Sequence, residues 1–183
     1  PESERVSTAV DVFTLFSHYT RGDLLVAGMK EADYQALFDR RIPLERRWAI
    51  FAPYWQQIRW TSYARAARLA AQRFYGAEDI DDSTYQALSE AIARANTPGI
   101  YERVLREACH IRVALTQCGR TDLRSGLLVP VMPLAYPMET WEDLAHPAFA
   151  PGATIRTLDD YLDAVCDYVL RVKAEGAVGL KMV

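Results

Sequence analysis

Cysteine and histidine are both scarce, three of each in 183 residues. Cys109, Cys118 and Cys166 are odd in number and show no C-x-x-C spacing, which argues against a disulfide-stapled scaffold or a zinc knuckle and fits reduced thiols in a cytoplasmic protein. His18, His110 and His146 stand far apart, whereas a zinc site needs three or four ligands converging from rigid elements. Positive charge is not in excess: the net charge is −3, which leaves no electrostatic footprint for nucleic acid. No apolar run approaches the roughly 20 residues needed to cross a bilayer. The opening Pro1-Glu2-Ser3-Glu4 carries no targeting pattern, and neither an internal repeat nor a low-complexity segment is visible. These absences leave small molecules and other polypeptides as the expected partners.

What is present is a helical first part. Residues 1–109 read as mainly helix: a segment over Thr8–Tyr19, one through Asp23 to Gly28, and a short one from Ala32 to Phe38. Pro43 suits the first turn of a helix carrying Leu44, Trp48, Phe51, Trp55 and Ile58 at spacings of three and four, and Pro53 is expected to kink or split it. Tyr63, Ala67, Ala70 and Phe74 form the next apolar stripe, which Gly76 ends. Beyond the acidic turn, Ser83 is placed to cap a helix burying Tyr85, Leu88, Ile92 and Ala95. Thr97-Pro98 opens one more helix, with Tyr101, Val104, Leu105 and Ala108 inward.

Residues 110–183 change character. Strands are expected over Ile111–Thr116 and Gly126–Leu134, then a helix capped by Thr157 with Leu158, Tyr161, Leu162, Val165, Val169 and Val172 on one face. Gly176 stops it, and the closing apolar strand Gly176–Val183 follows. Continuous apolar strands alternating with helices imply parallel pairing under helical cover.

Taken in order, His18-Tyr19 with Gly28 nine residues on, Arg73-Phe74-Tyr75-Gly76, the run Cys109-His110-Ile111-Arg112-Val113-Ala114-Leu115-Thr116, and Val129-Pro130-Val131-Met132-Pro133 resemble the uronate isomerase branch of the amidohydrolase superfamily. The resemblance implies an α/β fold, here a partial (β/α)8 TIM-type barrel with a large helical insertion after the first strand, and makes the closing strand the fourth of eight. The chain would then be the front part of a larger enzyme, one incomplete domain. Gly22 and Tyr136 stand where that branch carries arginines suited to gripping a carboxylate, so the match is to an amidohydrolase-related hydrolase.

For function, the resemblance implies a metal-dependent hydrolase in which a divalent ion, zinc, activates water. The alternatives are an aldose–ketose isomerase of the uronate kind and a non-catalytic helical interaction domain. The family's metal ligands fall outside this sequence, so no complete metal site is expected in it, and alone it is expected to be inactive. The partners implied are a small-molecule substrate, the remainder of the barrel and a possible second copy. Lys181, at the end of the last strand, is the catalytic candidate, because such enzymes work at strand C-termini. Tyr19 and Tyr136 are the substrate-binding candidates, since a phenol both donates and accepts.

Other residues have plainer readings. Thr116 and Gln117 follow a strand end and are candidates to line a pocket. Cys118 beside Arg120 is a candidate reactive thiol. His110 reads as structural and His146 as exposed. The acidic run Glu78–Asp82 turns the chain and caps a helix rather than holding calcium. The aromatic group Trp48, Phe51, Tyr54, Trp55, Trp60 and Tyr63, interleaved with Arg46, Arg47, Arg59, Arg65 and Arg68, reads as helical core with an oligomer surface.

Overall fold

Apolar side chains at helical spacing decide most of what this chain forms first, and the computed structural model, which describes residues 2–117, 126–133 and 140–181, shows where that patterning prevails. The order is α1 (Glu2–Ser7), a 3₁₀ turn (Val12–Phe16), α2 (Thr20–Val26), α3 (Glu31–Ala36), α4 (Leu44–Ile58), α5 (Ser62–Tyr75), α6 (Tyr85–Ala95) and a wide π-type helix (Glu102–Ala108). Then follow β1 (Ala114–Gln117), β2 (Leu128–Pro133), α7 (Trp141–Ala145), α8 (Leu158–Ala174) and β3 (Gly179–Lys181). Two compact units result, one of residues 3–98 and one of residues 99–183 with the first two residues.

The helical unit is organised around α4. Its apolar stripe is buried as patterned, with Trp48, Phe51, Trp55 and Ile58 inside. Phe13, Phe16, Phe51 and Trp55 pack ring on ring, Phe16–Phe51 at 4.6 Å and Phe13–Phe51 edge-on at 5.5 Å. Pro53 does not split α4, which runs unbroken from Leu44 to Ile58. A proline removes one intrahelical hydrogen bond, but the fully buried Phe51 and Trp55 on either side fix the segment by packing.

The expected helix over Thr8–Tyr19 is instead a short 3₁₀ turn. Asp11 stops the longer helix, because its carboxylate accepts the Phe13 N–H at 2.9 Å while the Thr14 hydroxyl answers the Asp11 N–H at 3.3 Å. A side chain that satisfies the backbone locally competes with helix propagation. In α5 the buried face is Ala64, Ala67 and Ala71, so Tyr63 is rotated outward. Gly76 ends α5 at φ +70°, a conformation that costs a residue with a Cβ. Helix α6 buries Leu88 and Ile92 as patterned. Its start falls at Tyr85 rather than after a Ser83 cap, since Asp81 takes the Ser83 and Thr84 N–H groups. The π-type helix buries none of its residues, so Val104, Leu105 and Ala108 are only partly covered.

The expected partial (β/α)8 barrel is not formed: among the described residues there are three strands, in one parallel sheet of order β1-β2-β3. The fold is mixed and more than half helical. The physical reason is the shortage of strands: closing a barrel of this kind takes eight, and the three among the described residues pair in line, β1 with β2 and β2 with β3. The register sets Leu115 opposite Val129 and Met132 opposite Leu180.

Helix α8 is well terminated. Thr157 and Asp160 form a reciprocal capping box, Asp159 and Asp160 lie in the first turn, and Arg171 and Lys173 in the last, in line with the helix dipole. It buries Ala164, Tyr168 and Val172 in a small core with Phe149 and Ile155. The Tyr168 hydroxyl donates to the Pro133 carbonyl at 2.7 Å, tying the helix to the end of β2. The expected stripe is only partly buried: Leu158 and Leu162 face solvent, because the packed face is centred on Ala164 and Tyr168.

Candidate functional site

Parallel strands present their carboxyl ends on one edge, and that edge is where open α/β sheets bind ligands. Here Gln117 ends β1 and Lys181 ends β3, on the two strands that flank β2. The register sets Gln117 beside Val131 and Lys181 beside Pro133. The side chains converge: the Lys181 ammonium donates to the Gln117 side-chain carbonyl at 2.8 Å, and both residues are exposed. An ammonium held by one acceptor keeps two further N–H donors for a substrate oxygen. Lys181 was the residue the sequence singled out; its partner was visible only as a strand-end residue. Neighbouring Thr116 turns its hydroxyl toward its own strand, 3.5 Å from the Ala114 carbonyl. Tyr136 and Cys118 lie outside the described residues.

Tyr19 belongs to the helical unit. Its ring is 63% exposed and stacks on Tyr63 at 5.0 Å with planes 10° apart, and the His18 ring meets it edge-on at 4.3 Å. The backbone at His18 is left-handed, φ +69°, a sparsely populated state for a residue with a side chain. A hydrogen bond between the His18 backbone and Tyr34 helps hold it. Tyr34 itself titrates above its ordinary range because burial disfavours the phenolate, and the His18 bond and the Arg21 charge only partly offset this.

The histidines do not assemble. His110, also left-handed at φ +55°, is exposed at the helix-to-strand junction, and His146 is exposed at the end of α7. Among the described residues no group of three or more His, Cys, Asp or Glu side chains could hold a metal ion.

Asp79 is the acidic group with the most structural consequence. Arg59 and Arg68 both bind its carboxylate, Arg68 through Nε at 2.8 Å. Burial opposes its ionisation, but the Arg68 hydrogen bond, the Ile80 N–H and the two guanidinium charges outweigh burial and hold the carboxyl below its ordinary value of 3.8. Its contribution to stability is thus present above pH 3.8 and fades as the pH falls through the lower folded value. The acidic run turns and caps as patterned, and Asp82 accepts the Trp48 indole N–H at 2.6 Å. The aromatic group divides: Trp48, Phe51 and Trp55 are core, whereas Trp60 and Tyr63 face solvent.

No helix among the described residues is long and apolar enough to cross a membrane. No family model matches the chain, and no curated protein matches it.

Proposed function

We propose that this chain supplies the substrate-holding edge of a metal-dependent hydrolase of the amidohydrolase-related kind, acting in the cytoplasm on a polar small molecule. The observation that carries the reading is the convergence of Lys181 and Gln117 at the carboxyl ends of parallel strands, 2.8 Å apart. In this reading Lys181 binds a substrate oxygen, and Gln117 is a positioning residue that aims the ammonium. The sequence resemblance supplies the reaction class and, with it, the expectation that the metal ligands lie on segments outside this sequence.

The test uses two preparations. The 183-residue chain, incubated with Zn²⁺ and dialysed, is expected to hold less than stoichiometric metal and to turn over no amide, ester or lactone substrate. In a protein that also carries the family's histidine and aspartate ligands, Lys181→Met is expected to lower kcat/KM about tenfold, the loss of one charge-assisted hydrogen bond. Unchanged kcat/KM in that variant would remove Lys181 from the site. Tight stoichiometric metal with turnover in the chain alone would overturn the placement of the ligands.

A second reading, a helical interaction domain, draws on a different observation. Leu115 is 65% exposed and Val178 62%, and Leu158, Leu162 and Leu170 on α8 also face water. Apolar side chains grouped on a small sheet and its covering helix mark surfaces that meet another polypeptide. This reading predicts that the chain self-associates in light scattering and that Leu115→Lys shifts it toward the monomer at equal concentration. A monodisperse monomer in the parent chain would end it.

A further inference from the structure

We infer that the groove beside Trp60 is a binding site for a small organic oxyanion, a carboxylate or phosphate ester carried on a flat apolar body. The groove, about 290 Å³, is lined by Trp60, Arg65, Arg68, Leu69 and Gln72, all within the helical unit. That volume is at the small end of ligand pockets and suits a molecule of one ring and one charged group.

Three features make this more than an exposed tryptophan. The indole is 73% exposed, and the guanidinium groups of Arg68 and Arg59 stand 4.6 and 5.4 Å from its ring centroid. Such stacking fixes the ring and surrounds it with cationic character. Asp79 then locks the arginines from behind, taking Nε of Arg68 at 2.8 Å and Nη2 at 3.3 Å, and Nη2 of Arg59, whose Nη1 donates to Gln56 at 3.2 Å. This arrangement leaves Nη1 of Arg68 for another acceptor, and Nε of Arg59 is buried without a partner.

The charge balance completes the argument. One carboxylate is shared by two guanidinium groups, and Arg65, one helical turn before Arg68 on α5, lines the same groove without an ion pair among the described residues. A preorganised pair of planar cations beside a third, exposed one is the chemistry that recognises carboxylate or phosphate oxygens. The faces of Trp60 and Leu69 supply apolar contact for the rest of the ligand. An uncharged aromatic would leave Arg65 without a counter-charge, and a bare anion would leave the indole unused.

The experiment titrates the 183-residue chain with phenyl phosphate while following the Trp60 indole N–H by two-dimensional ¹H–¹⁵N NMR, that resonance being identified with Trp60→Phe. A saturable shift is expected. Arg65→Ala, read on that resonance, and Trp60→Ala, read on the backbone amides of α5, should each weaken binding about tenfold, and inorganic phosphate and phenol should each bind at least about tenfold more weakly than phenyl phosphate. Both substituted side chains are exposed, so the remaining resonances should stay in place and report an intact fold. Lys181→Met should leave the affinity unchanged, which separates this site from the strand edge. No shift, affinity indifferent to Arg65, or equal binding of inorganic phosphate would overturn the inference.

Discussion

Asp11→Ala is expected to destabilise the helical unit by about 3–5 kcal/mol, the usual cost of stranding one member of a buried ion pair. The carboxylate is almost wholly buried and does three things at once. It accepts Nη1 of Arg47 at 2.7 Å, pairs with Arg40, and accepts the Phe13 N–H at 2.9 Å that opens the 3₁₀ turn. Arg47 is equally buried, bound also to the Leu37 and Ile42 carbonyls at 3.0 Å and lying 5.2 Å over the Phe13 ring. Without Asp11 its charge has backbone dipoles for company but no counter-ion inside. Arg47→Met should cost less, because Asp11 retains Arg40, whose side chain reaches solvent. The double variant Asp11→Ala/Arg47→Met should cost less than the sum of the two single changes, since Arg47 then leaves no buried charge alone. Urea unfolding followed by tryptophan fluorescence measures all three, and a loss below about 1 kcal/mol in Asp11→Ala would mean that water reaches Arg47.

The same network shows why some of the fold was legible in the sequence and some was not. Trp48, Phe51, Trp55 and Ile58 at spacings of three and four specify both the helix and its buried face, because one stripe carries both tryptophans and the phenylalanine of α4. Leu88 and Ile92 in α6 do likewise. Where a helix is apolar on more than one side, spacing identifies the helix but not the face. In α5 small alanines go inward and Tyr63 outward, and in α8 Ala164 and Tyr168 displace Leu158 and Leu162. The choice depends on how closely a neighbour approaches, which no local pattern contains. Asp11, a polar residue inside an otherwise helical pattern, was the visible sign that the segment before Tyr19 would break, but its partners are 29 and 36 residues away.

The candidate sites divide in the same way. Lys181 was singled out from its place at the end of the closing strand, since enzymes of the resembled kind work at strand C-termini. That Gln117 meets it follows from strand order and register, which place β1 and β3 on either side of β2, 64 residues apart in sequence. The barrel was an extrapolation from three strands to eight, and three parallel strands suffice to make a ligand-facing edge without closing one. Trp60 shows what the aromatic spacing left open, namely which rings of the group are core and which are surface. It continues the series begun by the buried Trp48, Phe51 and Trp55, but it follows the end of α4, after which the chain turns at Thr61 into α5 and leaves the ring among arginines.

Trp55→Ala is expected to cost about 3–5 kcal/mol, the range for deleting a large buried aromatic side chain. The ring is fully buried, packs on Phe16 at 5.1 Å and on Phe51 at 5.7 Å, and its indole N–H donates to the Ile80 carbonyl at 2.6 Å. Two effects are therefore superimposed, a cavity and an orphaned acceptor, and a second variant separates them. Trp55→Phe keeps much of the packing and strands only the Ile80 carbonyl, so it should cost about 1–3 kcal/mol. The difference between the two variants is then the cavity. The Ile80 carbonyl lies in the Glu78–Asp82 segment, whose Asp79 anchors Arg59 and Arg68, so losing the indole donor should also loosen the arginines around Trp60. Urea unfolding of both variants, with the Trp60 indole resonance recorded in each, distinguishes the outcomes. Equal losses in Trp55→Phe and Trp55→Ala would assign the whole effect to the hydrogen bond, and an unmoved Trp60 resonance in both would show that the acidic turn is held by its arginines without help from the core.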